Sequence, residues 1–276
     1  MKGLAWLLRE NRVTAVAFGL FTLIVLVAIA GPLLVADPLA SDAAHALEGP
    51  TAAHWFGTDE IGRDVFARTV VAARLDLAIA LSAVALSFAI GSTLGTAAGF
   101  TGGLLDAAVT RITDTLMAFP LFLLAMAIVS ALGNNTANVV YATAVVNLPF
   151  YIRMSRAEAA RLRSAGFIEA ARTGGLAGIP LLARHVYPNV LPPLAVQVSL
   201  NLGWAILNAA GLSFLGLGVR PPTPEWGIMV ADGAALIVSG AWWVSVFPGL
   251  ALMLTVLCFN LLGDGLRDLA DPRGRA

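Results

Sequence analysis

The chain has 276 residues, 58% of them apolar and only 12% charged, with mean hydropathy +0.83 and 17 basic against 17 acidic side chains. A soluble domain carries about 25% charged residues, so this composition cannot clothe a water-facing surface and places the chain in a bilayer. Zero net charge leaves no basic footprint for nucleic acid, the lone lysine at Lys2 excludes P-loop, kinase-type and Schiff-base chemistry, and the lone cysteine, Cys258, excludes an internal disulfide.

Six apolar stretches are long enough to read as spans. The first, Val13 to Val35, has no small-x-small site close behind it and reads as an anchor rather than a cleaved signal. An acidic outer segment follows, containing HWFGTDEIGRDVFAR, in which Thr58 is positioned to cap a short amphipathic helix with Asp59 and Glu60 in its first turn. The second span, Leu77 to Phe100, carries Gly91, Gly95 and Gly99 at four-residue spacing, the pattern that lets two helix backbones approach closely. The third is Thr115 to Leu132. The fourth, Val139 to Ile152, is short and holds Asn147 and Pro149, so neighbouring protein must satisfy the carbonyl that the proline frees.

The fifth span, Leu191 to Leu212, carries Gln197, Asn201, Trp204 and Asn208, the last three within about 40° of Gln197 on a helix. That polar stripe, with Asn147, reads equally as the wall of a translocation path and as interhelical hydrogen bonding. Between this span and the sixth, Trp243 to Leu262, lies SFLGLGVRPPTPEWG, whose glycines and prolines predict a rigid irregular loop; Trp226, Trp242 and Trp243 suit an interfacial belt. Asp76, Asp106, Arg111 and Asp114, near span ends, are placed to snorkel or pair.

Six spans put both termini on one side. With the N-terminus inside, inner segments hold 13 basic residues (Lys2, Arg9, Arg12, Arg111, Arg153, Arg156, Arg161, Arg163, Arg172, Arg184, Arg267, Arg273 and Arg275) and outer ones 4 (Arg63, Arg68, Arg74 and Arg220), which predicts cytoplasmic N- and C-termini. No enzyme site is evident. His45, His54 and His185 are scattered without metal-ligand spacing, and GLSFLG at Gly211 to Gly216 lacks the second glycine of a nucleophile elbow.

GFIEAARTGGLAGIPLLARHVYPNVLPPL, from Gly166 to Leu194, then lies on the cytoplasmic side. Phe167 to Thr173 predicts a short helix, Gly174, Gly175 and Gly178 break it, and Leu181 to Tyr187 can form another turn before Pro188 begins the return to the membrane. Such a segment is a protruding knob that can fit a groove on a soluble partner. A plain amphipathic helix resting on lipid would explain the arginines but not the glycine bend or the prolines.

The stretch resembles the EAA loop of type I ABC import permeases: E-A-A, three residues, G, nine residues, I-x-L-P. Glu169, Ala170, Ala171, Gly175 and Pro188 match, while His185 and Tyr187 stand where the general pattern has I and L. Together with HWFGTDEIGRDVFAR, GFTGGLLDAAVTRITDTLMAFP, AGLSFLGLGVRPPTPEWGIM and FNLLGDGLRDLADPR, it resembles the dipeptide, oligopeptide and nickel permeases, in particular the C-type subunit of a peptide importer.

The resemblance implies an all-α, polytopic protein of the bacterial cytoplasmic membrane. An N-terminal anchor and extracytoplasmic segment would occupy 1–74, and a permease core 75–276, with the coupling loop at 153–190. Glu169, Ala170, Ala171, Arg172, Gly175 and Pro188 would couple it to separate ATPases; Asn147, Gln197, Asn201 and Asn208 are the path candidates. The implied partners are a second homologous permease, two ABC ATPase subunits and an extracytoplasmic solute-binding protein. ATP and Mg would act in the ATPases, leaving this chain without a cofactor. The alternatives are a nickel or metal-chelate importer of the same family and, from another class, a secondary transporter driven by an ion gradient.

Overall fold

A computed structural model describes residues 12–270, and these are helical with irregular connections. Helix α1 is Arg12–Leu34, α2 Val65–Thr101, α3 Gly103–Met117, α4 Leu121–Leu132 and α5 Thr136–Leu162. There follow α6 Gly166–Thr173, α7 Gly178–Leu181, a π turn Leu182–Val186, α8 Tyr187–Phe214, α9 Trp226–Ala234 and α10 Trp243–Ala270. The basic residues Lys2, Arg9, Arg273 and Arg275 lie outside the described residues.

Four rods are long and apolar enough to cross a bilayer: α1, α2, Gly178–Phe214 and α10. The pair α3–α4, bent by 91°, makes a fifth candidate. Helix α5, at 27 residues, has the length, but Arg153, Arg156, Glu158 and Arg161 crowd its last turns and lower its hydropathy.

The glycine spacing finds its partner in α5, which runs parallel to α2. A Cβ at Gly91 would sit 2.8 Å from Tyr151 Cβ, and Cβ atoms at Gly95 and Gly99 would collide with the backbone at Ile152 and Arg156. Tyr151 is fully buried there, edge-on to Phe88 at 5.6 Å. Helix α10 runs antiparallel to α8, Gly203 facing Phe259 and Gly263 facing Ser199, and α1 packs on α10 through Phe21 and Phe259.

The two ends of the bundle differ. At the cap end, the segment between α1 and α2 folds under the loop before α9. Arg68 donates to the carbonyls of Pro38 and Pro222, Trp243 Nε1 to Thr58 O, and Asn134 to Gly216 O. At the opposite, knob end lie the α2–α3 corner, α6 and α7. Arg12, which begins α1, and the last turn of α10 also lie there.

Several local expectations need correction. Thr58 does not cap a helix. Its buried hydroxyl donates to His45 O at 2.5 Å and accepts from Glu48 N at 2.9 Å, stapling the cap segment. Asp59 spends its carboxylate on Ile61 N, Arg63 N and the Arg63 guanidinium, and Gly62 turns the chain at φ +79. The helix therefore starts six residues later, at Val65, with Asp64 as the true cap on Ala67 N at 2.7 Å. The loop SFLGLGVRPPTPEWG ends in a helix, α9, because Glu225 caps Gly227 N and Ile228 N. Trp226 is no belt residue: it is 2% exposed and its indole donates to Thr69 O. The turn expected over Leu181 to Tyr187 is instead continuous helix into α8. Pro188 has no N–H, and the Tyr187 N–H reaches back five residues to Leu182 O.

Candidate functional site

The knob is built by its sequence. Helix α6 has eight residues, too few to persist alone. What holds it is Ile168, fully buried against the bundle, a burial of about 2 kcal/mol. Arg172 adds a guanidinium 5.3 Å from the Phe100 ring centroid on α2. Its end is a Schellman closure. The Leu176 N–H bonds Ala171 O at 3.0 Å and the Gly175 N–H bonds Arg172 O at 2.9 Å, with Gly175 at φ +87. Leu176 and Ala171 both pack against the hydrophobic core.

Glu169 and Ala170 are left on the exposed face. The Glu169 carbonyl takes a hydrogen bond from Thr173 Oγ1 at 2.9 Å; its carboxylate has no cation within ion-pair distance among the described residues. Glu169, Ala170, Ala171, Arg172 and Gly175 thus share one protrusion. Pro188 stands apart, in the first turn of α8, where Asn189 Nδ2 satisfies His185 O at 2.7 Å. The hollow beside α6, lined by Phe100, Arg172, Gly175, Leu176, Ile179 and Leu182, measures about 710 Å³.

Anchors of the knob sit on neighbouring helices, among them Asp106, which forms an ion pair as its place near a span end predicts. Arg156 makes a two-pronged ion pair with Asp106 on α3, at 2.5 and 2.9 Å. The Arg163 guanidinium packs where a Cβ at Gly102 would be, and the hydroxyls of Ser92 and Tyr187 meet at 2.8 Å, tying α8 to α2. The readable signal was the Gly102–Gly103 break opposite an arginine-rich helix end.

The polar stripe falls into two groups. Asn147, Asn201 and Asn208 are 0%, 4% and 4% exposed within this one chain. Asn208 Nδ2 donates to Thr143 Oγ1 at 3.1 Å across α8 and α5, and Asn147 Nδ2 to Thr143 O at 3.0 Å. Gln197 is half-buried, donates to Asn201 Oδ1 at 2.8 Å, and lines a 400 Å³ cavity with Met154, Pro193, Leu200, Asp264 and Arg267.

At the cap end, His45 and His54, scattered in the sequence, are neighbours with ring centroids 6.3 Å apart. Each Nδ1 pairs with its own carboxylate at 2.8 Å, His45 with Asp42 and His54 with Asp64. The Asp42 hydrogen bond raises the His45 imidazole above its ordinary value. No group of three or more metal-ligating side chains occurs among the described residues.

Comparison with known proteins bears on the whole chain. A family model described as "Binding-protein-dependent transport system inner membrane component" matches residues 91–276. The dipeptide transport system permease protein of Alkalihalophilus pseudofirmus is 44% identical over 267 residues, 96% of this chain and 88% of the relative. The probable D,D-dipeptide transport system permease protein of Escherichia coli is 43% identical over 271 residues, 98% and 91% of the two chains. The glutathione transport system permease protein of Pectobacterium atrosepticum is 44% identical over 226 residues, 82% and 75%.

Proposed function

The chain belongs to the family of binding-protein-dependent transport system inner membrane components, and from that premise we propose that it carries short peptides into the cell, driven by ATPase subunits that dock on its knob. It is a transport permease rather than an enzyme. Its relatives at 43–44% identity are named for dipeptides, D,D-dipeptides and glutathione, each a short peptide or peptide-like solute, which supports the solute class.

The observation that carries the coupling role is the geometry of α6. A short helix with an exposed acidic face is clamped at its buried side by Ile168 and Arg172 and at its end by Gly175. It stands between two rods, α5 and α8, so a push on it is delivered to both. Movement of ATPases towards each other would tilt these rods about the glycine contact with α2, the rigid-body form of alternating access.

In this reading the knob end faces the cytoplasm and the cap end receives a solute-binding protein. A second, related permease completes the path, with ATP and Mg held by the ATPases. Residues 1–74 act as anchor and outer segment, and 75–276 as the core. Gln197 flanks the path, backed by Asn147, Asn201 and Asn208.

Proteoliposomes containing the chain with its co-expressed partners provide the test. The expected result is accumulation of a labelled dipeptide that needs ATP and the solute-binding protein. Accumulation driven by an ion gradient without ATP would overturn the proposal.

A further inference from the structure

The first turn of α9 is closed by two carboxyl groups from different parts of the chain. Asp76, on α2, accepts from Trp226 N at 3.1 Å, and Glu225 accepts from Gly227 N at 2.9 Å and Ile228 N at 2.8 Å. Both side chains are sealed off, Asp76 being 4% and Glu225 0% exposed. The two carboxyls lie within hydrogen-bonding reach of each other, and Ser213 of α8 approaches Glu225 as well. Gly227 abuts the backbone of Ala210, so α9 is packed tightly on α8.

Among the described residues no cation pairs with either carboxyl. Arg68, eight positions before Asp76 and so about 12 Å along the helix, is committed to Pro38 O, Pro222 O and Asp59. Arg63 is paired with Asp59, while Arg74 and Arg220 are exposed. Asp232, further along α9, faces Arg68 and Arg63. Among the described residues, the charge left to compensate the pair is the helix N-terminus, equivalent to about +0.5 elementary charge. That suffices for one carboxylate and not for two so close together. Burial raises the Glu225 carboxyl from its ordinary value, with its two backbone N–H partners pulling the other way.

We propose that Asp76 and Glu225 hold one proton between them, and that this singly charged pair is the positioning latch that seats α9 and its preceding loop on α2. Glu225, with two N–H donors against one for Asp76, keeps the negative charge; Asp76 keeps the proton and donates it to Glu225. Losing the proton places two anions in a buried site and drives the first turn of α9 off α2. The cap surface built on that loop then loosens. This inference concerns the fold of the cap and holds whichever solute is carried.

A proton held more tightly in the folded than in the unfolded chain contributes stability that is complete at acid pH and is lost as pH rises through the folded-state value. The test is thermal unfolding of the full chain in detergent from about pH 6 to about pH 10, with infrared spectra of the carboxyl C=O band. For the wild type the expected result is a protonated-carboxyl band at neutral pH and a melting temperature that falls by about 3 °C or more on the alkaline side. Asp76→Asn, whose amide donates as the acid would, should lose both the band and the alkaline fall while keeping the neutral melting temperature. Glu225→Gln should lose the band too, because Asp76 then ionises as the single anion. A band and an alkaline fall unchanged in Asp76→Asn would overturn the proposal. So would a wild-type chain with no protonated carboxyl at neutral pH, a result that needs no variant.

Discussion

Glu169 stands on the exposed face of α6 with its carboxylate outside any ion pair among the described residues, so its charge is open to a partner. Replacing it with lysine removes no internal contact. Glu169→Lys should change the melting temperature by the equivalent of under about 0.5 kcal/mol yet abolish peptide uptake, read by labelled dipeptide accumulation beside a detergent melt. Gln197 and Asn208 separate along the same stripe. Gln197→Leu should alter uptake kinetics, since Gln197 borders the 400 Å³ cavity, and should also lose its bond to Asn201, worth about 0.6 kcal/mol in a membrane bundle. Asn208→Leu should leave uptake kinetics unchanged while losing its bond to Thr143 at about the same cost. The exposed acid of the knob was legible in the sequence because pattern and side chain coincide there. The division of the stripe was not, because helical angle gives a direction but not which neighbour covers it. Asp76 could be read as a span-end residue that pairs; that its neighbour would be another acid, 149 positions away in the chain, follows only from the packing of α9.

At the scale of elements, apolar length was enough to find the rods. It failed where polar side chains rather than hydropathy set the boundary. Asp64 and not Thr58 starts α2, because Thr58 is consumed by the cap segment; Glu225 starts a helix inside a stretch dominated by glycine and proline. The sharp bend between α3 and α4 was hidden because the expected third span joined the end of one helix to the other. The glycine contact of α2 with α5 makes a strong demand. Gly95→Leu would force the backbones apart at Ile152 and should destabilise the chain by about 1–3 kcal/mol, measured by thermal unfolding. Gly175 makes a subtler one. Its surroundings are open, so Gly175→Ala meets no clash, but φ +87 is costly for a side chain. Loss of about 1 kcal/mol at the knob closure is expected, seen as faster amide exchange over α6 and weaker uptake with an unchanged global melt.

At the scale of the whole molecule, one helical bundle joins two different ends. A cap surface whose helix starts on two buried carboxyls is linked by long helices to a clamped knob at the other end. The chain offers a convenient probe, because Cys258 is buried and donates to Ala17 O, leaving an engineered surface thiol as the reactive one. The most direct measurement is cysteine crosslinking of Glu169→Cys in membranes holding the chain with its co-expressed partners, with an impermeant thiol reagent applied from either side. The expected result is a crosslink to an ATPase subunit and labelling only from the cytoplasmic face. Labelling from outside, or an intact transporting assembly in which residue 169 meets no ATPase, would contradict the claim that this helix joins the permease to its motor.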